Sequence, residues 1–183
     1  MARPAEPGRT ALLDAGTRVL AAAESPGWSG LSANAVVAEA AMSKGAFFHH
    51  FPTRRDFVVE LHIRFHEKAS TAIDAAIGAM APGADRIAAG IAGYLDFCLS
   101  RADAKAFLFE ARADGDLRDR VVTMNGHFAS LMVPDLRAAG WASPKETARL
   151  AVAAVAEVAL IEKDLKRASR RHRHALWALL ILS

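Results

Sequence analysis

Residues 31–57, LSANAVVAEAAMSKGAFFHHFPTRRDF, decide the fold, because three helix-start signals lie within them. Ser32 and Ser43 each have an apolar residue one position before and four positions after, the spacing of a hydrophobic staple around an N-cap. Thr53 is followed three positions later by Asp56, which predicts a capping box with acidic charge near the positive helix end. These starts leave room for a helix of about nine residues, a tight turn and a second helix of about eight, the length pattern of a helix-turn-helix.

The second short helix, KGAFFHHF at 44–51, has one buried and one exposed face by its spacing. Phe47 and Phe51 are four residues apart and are predicted to point into a small core. The other side is predicted to face solvent, and it consists of Lys44, Gly45, Ala46, His49 and His50. Because glycine and alanine have almost no side chain, the start of this helix is narrow enough for the major groove of DNA, which is roughly 12 Å wide.

The chain of 183 residues is predicted to be all-α, with 52% hydrophobic residues and long runs rich in alanine. Its formal charge of +3 is weak evidence for an anionic partner, since residues 1–68 hold eight Lys/Arg against seven Asp/Glu. The single Cys98 excludes an internal disulfide and fits a reducing cytoplasm. No signal peptide is recognised, and the apolar C-terminal end is shorter than the roughly 20 residues that span a bilayer. We therefore expect a cytoplasmic protein without a membrane partner.

Helix-length segments separated by Pro and Gly account for the rest of the chain. The helices are predicted at about 10–24, 54–79, 84–101, 104–112, 117–139 with a kink at Pro134, 144–161 and 168–182.

The stretch 31–57, with RTALLDAG at 9–16, resembles the N-terminal domain of the tetracycline-repressor (TetR/AcrR) family of transcriptional regulators. The matching features are Leu-Ser opening the second helix, Ser43-Lys44-Gly45 opening the third, His49-His50-Phe51 closing it, and Pro52-Thr53-Arg54 leading into the fourth. The resemblance covers about residues 9–62, and the remainder matches only in length and helical pattern.

This resemblance implies a three-helix DNA-binding domain at 1–53 and a C-terminal helical domain for ligand binding and dimerisation at 54–183. It further implies a repressor that a small apolar ligand releases from a palindromic, double-stranded DNA operator.

Two positions depart from the pattern of the resembled family. Ala41 stands in the turn where the family commonly has Gly, and a left-handed backbone there costs Ala more than Gly. Phe48 stands where the family usually has a Tyr whose hydroxyl contacts a phosphate, so we expect weaker phosphate anchoring.

The resemblance also implies which residues meet DNA. Ser32 and Asn34 are placed near phosphates and base edges, and the next helix faces bases or the adjacent backbone. His50, Thr53 and Arg54 are placed on phosphates, Thr53 partly through the helix N-terminus. The complete predicted set is Ser32, Asn34, Ser43, Lys44, Gly45, Ala46, Phe48, His49, His50, Thr53 and Arg54.

A ligand pocket is predicted in the C-terminal domain, where aromatic and a few polar residues recur on neighbouring helices. Its candidate lining is Tyr94, Phe97, Cys98, Phe107, Glu110, Met124, His127 and Phe128. The resemblance implies that an inducer entering there tilts the fourth helix and changes the separation of the two recognition helices. Each of these residues taken singly also fits an ordinary core.

The last two helices carry more apolar residues than one protomer is expected to bury, and the resemblance implies a homodimer through them. The alternative is that these residues form a core within the chain and contact a membrane surface. The residues concerned are Ala151, Val152, Val155, Val158, Leu176, Trp177, Leu180 and Ile181. The basic run KDLKRASRRHRH at 163–174 is interpreted as a solvated face, although it also fits a nucleic-acid contact.

Two other classes of function stay open at this point: a helical adaptor that binds only protein, and a small helical enzyme. No carboxylate pair, nucleophile constellation or phosphate loop is recognised, and His49 and His50 point in different directions on a helix. We therefore predict neither a catalytic site nor a metal or cofactor.

Overall fold

The computed structural model describes residues 7–22, 27–115 and 117–181, and every regular element in these ranges is helical. The helices are α1 (Pro7–Ala21), α2 (Gly27–Gly30), α3 (Ala33–Ala40), α4 (Lys44–His50), α5 (Arg54–Ile77), α6 (Ala84–Ser100), α7 (Ala104–Leu108), α8 (Arg118–Ala138), α9 (Pro144–Leu165) and α10 (Arg170–Ile181), with a 3-10 turn at Glu110–Arg112. The all-α prediction is confirmed, and most predicted starts lie within three residues of the observed ones.

Some details differ from the predictions. The short helix α2 was not predicted, and α9 extends to Leu165 rather than ending near residue 161. Helix α8 includes Pro134, as the predicted helix over 117–139 does. The predicted end of the first helix near Glu24 lies outside the described residues.

Residues Met1–Phe65 and Ala102–Arg118 form one compact unit, and His66–Arg101 and Asp119–Ser183 form a second. The segment 102–118 therefore packs with the N-terminal helices, although it lies some forty residues further along the chain than the end of the first segment.

The core of the first unit is built on three aromatic rings from α4, its C-cap and α5. The Phe47 and Phe57 ring centroids are 5.1 Å apart, and those of Phe51 and Phe57 are 5.0 Å apart. Helix α1 approaches these rings at Gly16, where an added Cβ would lie 2.6 Å from the Phe57 ring. Because a methyl group does not fit at that distance, glycine at this position permits the close packing of α1 on α5.

The second unit contains α6, α8, α9, α10 and the later part of α5. Glu162 of α9 is fully buried and accepts hydrogen bonds from the Arg173 side chain at 2.7 and 2.8 Å and from the Ser169 N–H at 2.8 Å. Arg173 also bridges to Asp96 of α6 at 2.7 Å. This network connects α10 to α9 and α6 through charged groups that satisfy one another.

The ionisation of Glu162 follows from these contacts. Burial by itself raises the pKa of this carboxyl, but the hydrogen bonds from Arg173 and Ser169 and the positive charges of Arg173 and His172 outweigh it. The net result is a pKa below the ordinary value of 4.5.

Most of the apolar residues of the last two helices that were predicted to remain exposed for a dimer interface are instead covered within the chain. Five of them are buried: Ala151, Val155, Val158, Leu176 and Leu180. Val152 and Trp177 are half-buried, and the side chain of Ile181 lies outside the described part. The large apolar side chains that these helices expose are instead Leu150 and Leu179, each 73% exposed, and Leu165 at 43%.

Within the described ranges, no helix is both long enough and apolar enough to cross a membrane.

Candidate nucleic-acid interface

Both short helices begin at the predicted serine caps. The Ser32 hydroxyl accepts a hydrogen bond from the Ala35 N–H at 3.2 Å, and the Ser43 hydroxyl accepts one from the Ala46 N–H at 3.1 Å. Each cap satisfies a backbone donor that the first turn of a helix leaves unpaired. The start positions of α3 and α4 are therefore determined by local chemistry.

The turn between α3 and α4 places Ala41 in the left-handed region, with φ 52° and ψ 41°. The N–H of Met42 donates to the Val37 carbonyl at 2.9 Å, and the N–H of Ala41 donates to Ala38 at 3.3 Å. This hydrogen-bond pattern is that of a Schellman C-cap, in which Gly is usual. The strain expected from Ala at this position is thus present in the backbone.

Helix α4 has the two faces that its sequence predicts. Phe47 and Phe51 are 1% and 0% exposed, whereas Lys44, Gly45 and His49 are exposed. Ala46 and His50 are half-buried. The narrow, positively charged beginning of α4 is therefore open to solvent on one side.

Phe48 differs from the other two aromatic residues of this segment. Its side chain is 44% exposed, and its ring packs edge-on against Phe47 at 5.3 Å. The ring offers apolar contact at the surface and no hydrogen-bond donor.

The C-terminal end of α4 is held by Arg9 of α1. The guanidinium donates to the His50 carbonyl at 2.8 Å and lies over the Phe51 ring at 4.4 Å. It also bridges to Glu60 of α5 at 3.3 Å. One side chain thus connects α1, α4 and α5, a role that no local sequence signal indicates.

The predicted capping box at the start of α5 is present. The Thr53 N–H donates to the Asp56 carboxylate at 3.0 Å, and the Asp56 N–H donates to the Thr53 hydroxyl at 3.1 Å. Both residues are exposed, as is Asn34 on α3. A carboxylate already occupies the helix end where a phosphate was predicted.

Arg54 is engaged within the first unit. Its guanidinium donates to the carbonyls of Leu31 at 3.3 Å and Trp28 at 2.5 Å, and to the Asp114 carboxylate at 3.0 Å. The resemblance implies a phosphate contact for Arg54, and no sequence pattern marks Trp28 or Asp114 as functional residues. The acceptors lie 23 to 60 residues away in the chain, so no local pattern marks them.

The predicted pocket residues are divided between the two units. In the second unit, the Tyr94 and Phe128 rings lie 6.1 Å apart and the His127 and Phe128 rings 5.8 Å apart. Phe97 and Met124 are half-buried, and Cys98 is fully buried.

The other two, Phe107 and Glu110, belong to the first unit. Phe107 stacks on Phe65 at 4.1 Å, and Glu110 accepts the Trp28 N–H at 3.2 Å. A pocket of about 90 Å³ in the second unit is lined by Ile87, Trp141 and Trp177 among others, and by none of the predicted residues.

Among the described residues, no group of three or more His, Cys, Asp or Glu is arranged to hold a metal ion.

Two capped short helices joined by a tight turn, with the start of the second exposed, form a helix-turn-helix, an arrangement with which many proteins bind DNA. The sequence model of the bacterial regulatory proteins of the tetR family matches residues 12–61. This segment is therefore similar in sequence to that family, which supports a DNA-binding transcriptional regulator. A search of curated protein sequences found no significant match.

Solved structures extend the likeness over the whole fold. A TetR-like transcriptional regulator from Rhodococcus sp. RHA1 is similar with a TM-score of 0.79 and 16% identity, covering 98% of this chain and 96% of that one. The fatty acid degradation regulator FadR from Bacillus halodurans gives 0.78 and 14%, covering 98% and 97%. The multidrug binding protein EbrR, complexed with imidazole, gives 0.73 and 20%, covering 95% of each chain. The chain has the fold of these TetR-type proteins.

Proposed function

We propose that this protein is a repressor that binds a palindromic operator as a homodimer and is released from it by a small apolar ligand. The observation that carries the DNA-binding part is the exposed beginning of α4, where Lys44, Gly45 and His49 lie opposite the buried Phe47. A helix of this width and charge fits the major groove with its first residues toward the base edges.

The proposed contacts follow from the exposure of each residue. Lys44 and His49 donate to base acceptors or to the adjacent phosphates, while Gly45 and Ala46 allow the helix backbone to come close. Ser43 lies beside them at the N-cap, and Ser32 and Asn34 flank them from the start of α3. Phe48, His50 and Thr53 border this surface on the side of the backbone phosphates.

The test is a salt-dependent binding assay on DNA from the region beside the protein's own gene. We expect fluorescence anisotropy to show tight binding to a palindromic segment and much weaker binding to a scrambled segment of equal length. Affinity for both falls as salt rises, since phosphate contacts release counterions. Equal affinity for the palindrome and the scrambled duplex would contradict sequence-specific regulation.

The homodimer is proposed from the exposed leucines of the last two helices together with the TetR-type fold. Leu150 on α9 and Leu179 on α10 are each 73% exposed, so both side chains are available for contact with a second copy that packs on these helices. Antiparallel packing of such helices against a second copy gives a four-helix interface with two-fold symmetry.

The ligand is proposed to bind beside the aromatic rings of Tyr94 and Phe128, with His127 as a polar group nearby. Of the proteins with the same fold, one is a fatty acid degradation regulator and another is a multidrug binding protein complexed with imidazole. Decanoic acid and imidazole are therefore suitable probes. We expect at least one of them to release the operator, and Phe128→Ala to reduce that release without changing affinity in its absence. Unchanged operator binding with both probes would contradict release by these ligand classes.

A further inference from the structure

Arg54 lies at the first position of α5, yet its guanidinium reaches back to the segment that precedes the helix-turn-helix. It donates to the carbonyl of Trp28 in α2 and to that of Leu31, the residue directly before the Ser32 cap. Two backbone oxygens that precede the start of α3 are thus held by one planar, forked side chain. A guanidinium with two such acceptors fixes their relative position as well as their distance.

The same guanidinium is anchored from the other side by Asp114. The Arg54–Asp114 ion pair measures 3.0 Å, and the Asp114 side chain is only 10% exposed. Moving Arg54 away to a phosphate would leave a largely buried carboxylate without this cation, which is costly in a medium of low polarity. Contact with Asp114 is therefore favoured over contact with DNA.

The segment that carries Asp114 also holds α2 at two further points. The Trp28 indole donates to the Ala106 carbonyl at 2.7 Å, and the Trp28 N–H donates to Glu110 at 3.2 Å. Gly27, at φ +63°, faces the Glu110 carboxylate so closely that an added Cβ would lie 2.0 Å from Oε2. Residues 106–114 are thus joined to α2 through hydrogen bonds from both the backbone and the side chain of Trp28.

We propose that Arg54 is a positioning residue and not a phosphate contact. By holding the carbonyls of Trp28 and Leu31, Arg54 sets the position at which α3 starts. Asp114 holds Arg54 in place and thereby controls DNA affinity without touching DNA. This inference rests on the proposed function, because it concerns the position of the α3 and α4 residues that are proposed to contact DNA.

The experiment compares operator affinity and its salt dependence for Arg54→Lys, Arg54→Gln, Asp114→Asn, the double variant Arg54→Gln/Asp114→Asn, and the control Asp74→Asn. Asp74 is exposed on the same helix, so its replacement removes one negative charge without breaking a described contact of Arg54. All measurements are made at a temperature where circular dichroism shows every variant folded.

We expect Asp114→Asn to weaken operator binding roughly 3- to 30-fold, although loss of a negative charge by itself strengthens binding to DNA. Arg54→Lys is expected to weaken binding similarly, since an ammonium cannot hold two carbonyls and a carboxylate in a fork. The double variant should bind the operator no more weakly than whichever of Arg54→Gln and Asp114→Asn binds it more weakly. The dependence of operator affinity on salt concentration should have the same slope in all of these variants. Asp74→Asn should bind like the wild type.

The phosphate-contact alternative predicts the opposite pattern. In that case Arg54→Lys retains affinity, Asp114→Asn binds as well as wild type or better, and Arg54→Gln lowers the salt slope by about 0.9. That result would overturn the positioning role.

Amide hydrogen exchange gives a readout that needs no DNA. Positioning requires Asp114→Asn to increase exchange at the first amides of α3 while α9 is unaffected, and unchanged exchange there would also overturn it. Failure of wild type to prefer any palindrome instead contradicts the proposed function, and the exchange measurement still decides the role of Arg54.

Discussion

Ala41 shows how one residue can keep a backbone shape that its side chain disfavours. The turn between α3 and α4 closes through the hydrogen bonds of Ala41 and Met42 to the end of α3, and these bonds require a left-handed residue. An L-residue with a Cβ is strained there, and the surrounding helix packing maintains the conformation. The turn of the helix-turn-helix is therefore kept at a cost in stability.

We predict that Ala41→Gly raises the free energy of unfolding by about 0.5–1 kcal/mol, because relief of the left-handed strain exceeds the added entropy of the unfolded chain. Urea denaturation measures the change. The matched control is Ala40→Gly, one residue earlier and helical, which should lower stability by up to about 1 kcal/mol. Equal effects of the two substitutions would show that the left-handed geometry is not the cause.

Lys44 and His49 are predicted to carry base or adjacent phosphate contacts from the exposed side of α4. Replacing either with Ala should weaken operator binding by about 1–3 kcal/mol if it pairs with a base edge, with a smaller effect on scrambled DNA. Lys145→Ala serves as the control, because this residue is an exposed lysine near the start of α9. Unchanged operator affinity in both α4 variants would remove them from the interface.

At the scale of elements, helices are joined by charged groups in each unit. In the first unit, Arg9 connects α1 to the end of α4 and to α5. In the second, the Glu162–Arg173 pair sets the approach of α10 to α9 after the turn at Lys166, which is itself left-handed at φ 54°. These contacts orient helices whose ends are already determined by local caps.

The second-unit network predicts an acid-sensitive contribution to stability. Since the pKa of Glu162 is lowered below 4.5 by folding, its stabilisation is complete above that pH and is lost as the pH falls through the folded-state value. Glu162→Gln should lower the free energy of unfolding at neutral pH by about 1–3 kcal/mol and flatten the decline in acid. Denaturation curves across this range test the prediction.

The control for this prediction is Asp96→Asn, which removes the exposed partner of Arg173. Its side chain is 66% exposed, so the loss should be below about 1 kcal/mol. An acid decline in Glu162→Gln as steep as in wild type would show that other carboxyls cause it.

At the scale of the whole molecule, the proposed recognition of a palindromic operator requires two copies. The half-sites of a palindrome that a two-fold dimer reads lie about 34–36 Å apart, and one helix-turn-helix covers only one of them. In the proposed dimer, two weak contacts combine into one strong one, because the first contact raises the effective concentration of the second.

We predict that the double variant Leu150→Lys/Leu179→Lys sediments as a monomer and loses at least about 100-fold in operator affinity, while binding to a single half-site is retained. Leu131→Lys on α8 is the control, because Leu131 is also an exposed leucine at 51% and lies outside the last two helices. A dimer that persists in the double variant would place the interface elsewhere.

Local chemistry explains why so much of the helix-turn-helix could be predicted. The caps at Ser32, Ser43 and Thr53 involve partners only three residues away, and the burial of Phe47 and Phe51 follows from helical spacing. Tertiary contacts explain the misses. The apolar residues of α9 and α10 carry the same spacing whether this chain or a second copy covers them, so the pattern could not say which were left exposed.

The sequence by itself determined the helical class, the positions of the helix starts and the exposed face of α4, because caps and periodicity act within one or two turns. Only the tertiary structure decided what Arg54, Trp28 and Glu110 do, and which leucines remain uncovered. Arg54 meets Asp114 across 60 residues and Trp28 meets Ala106 across 78. Such pairs form only when the packed core brings distant segments together, and no short-range pattern encodes that approach.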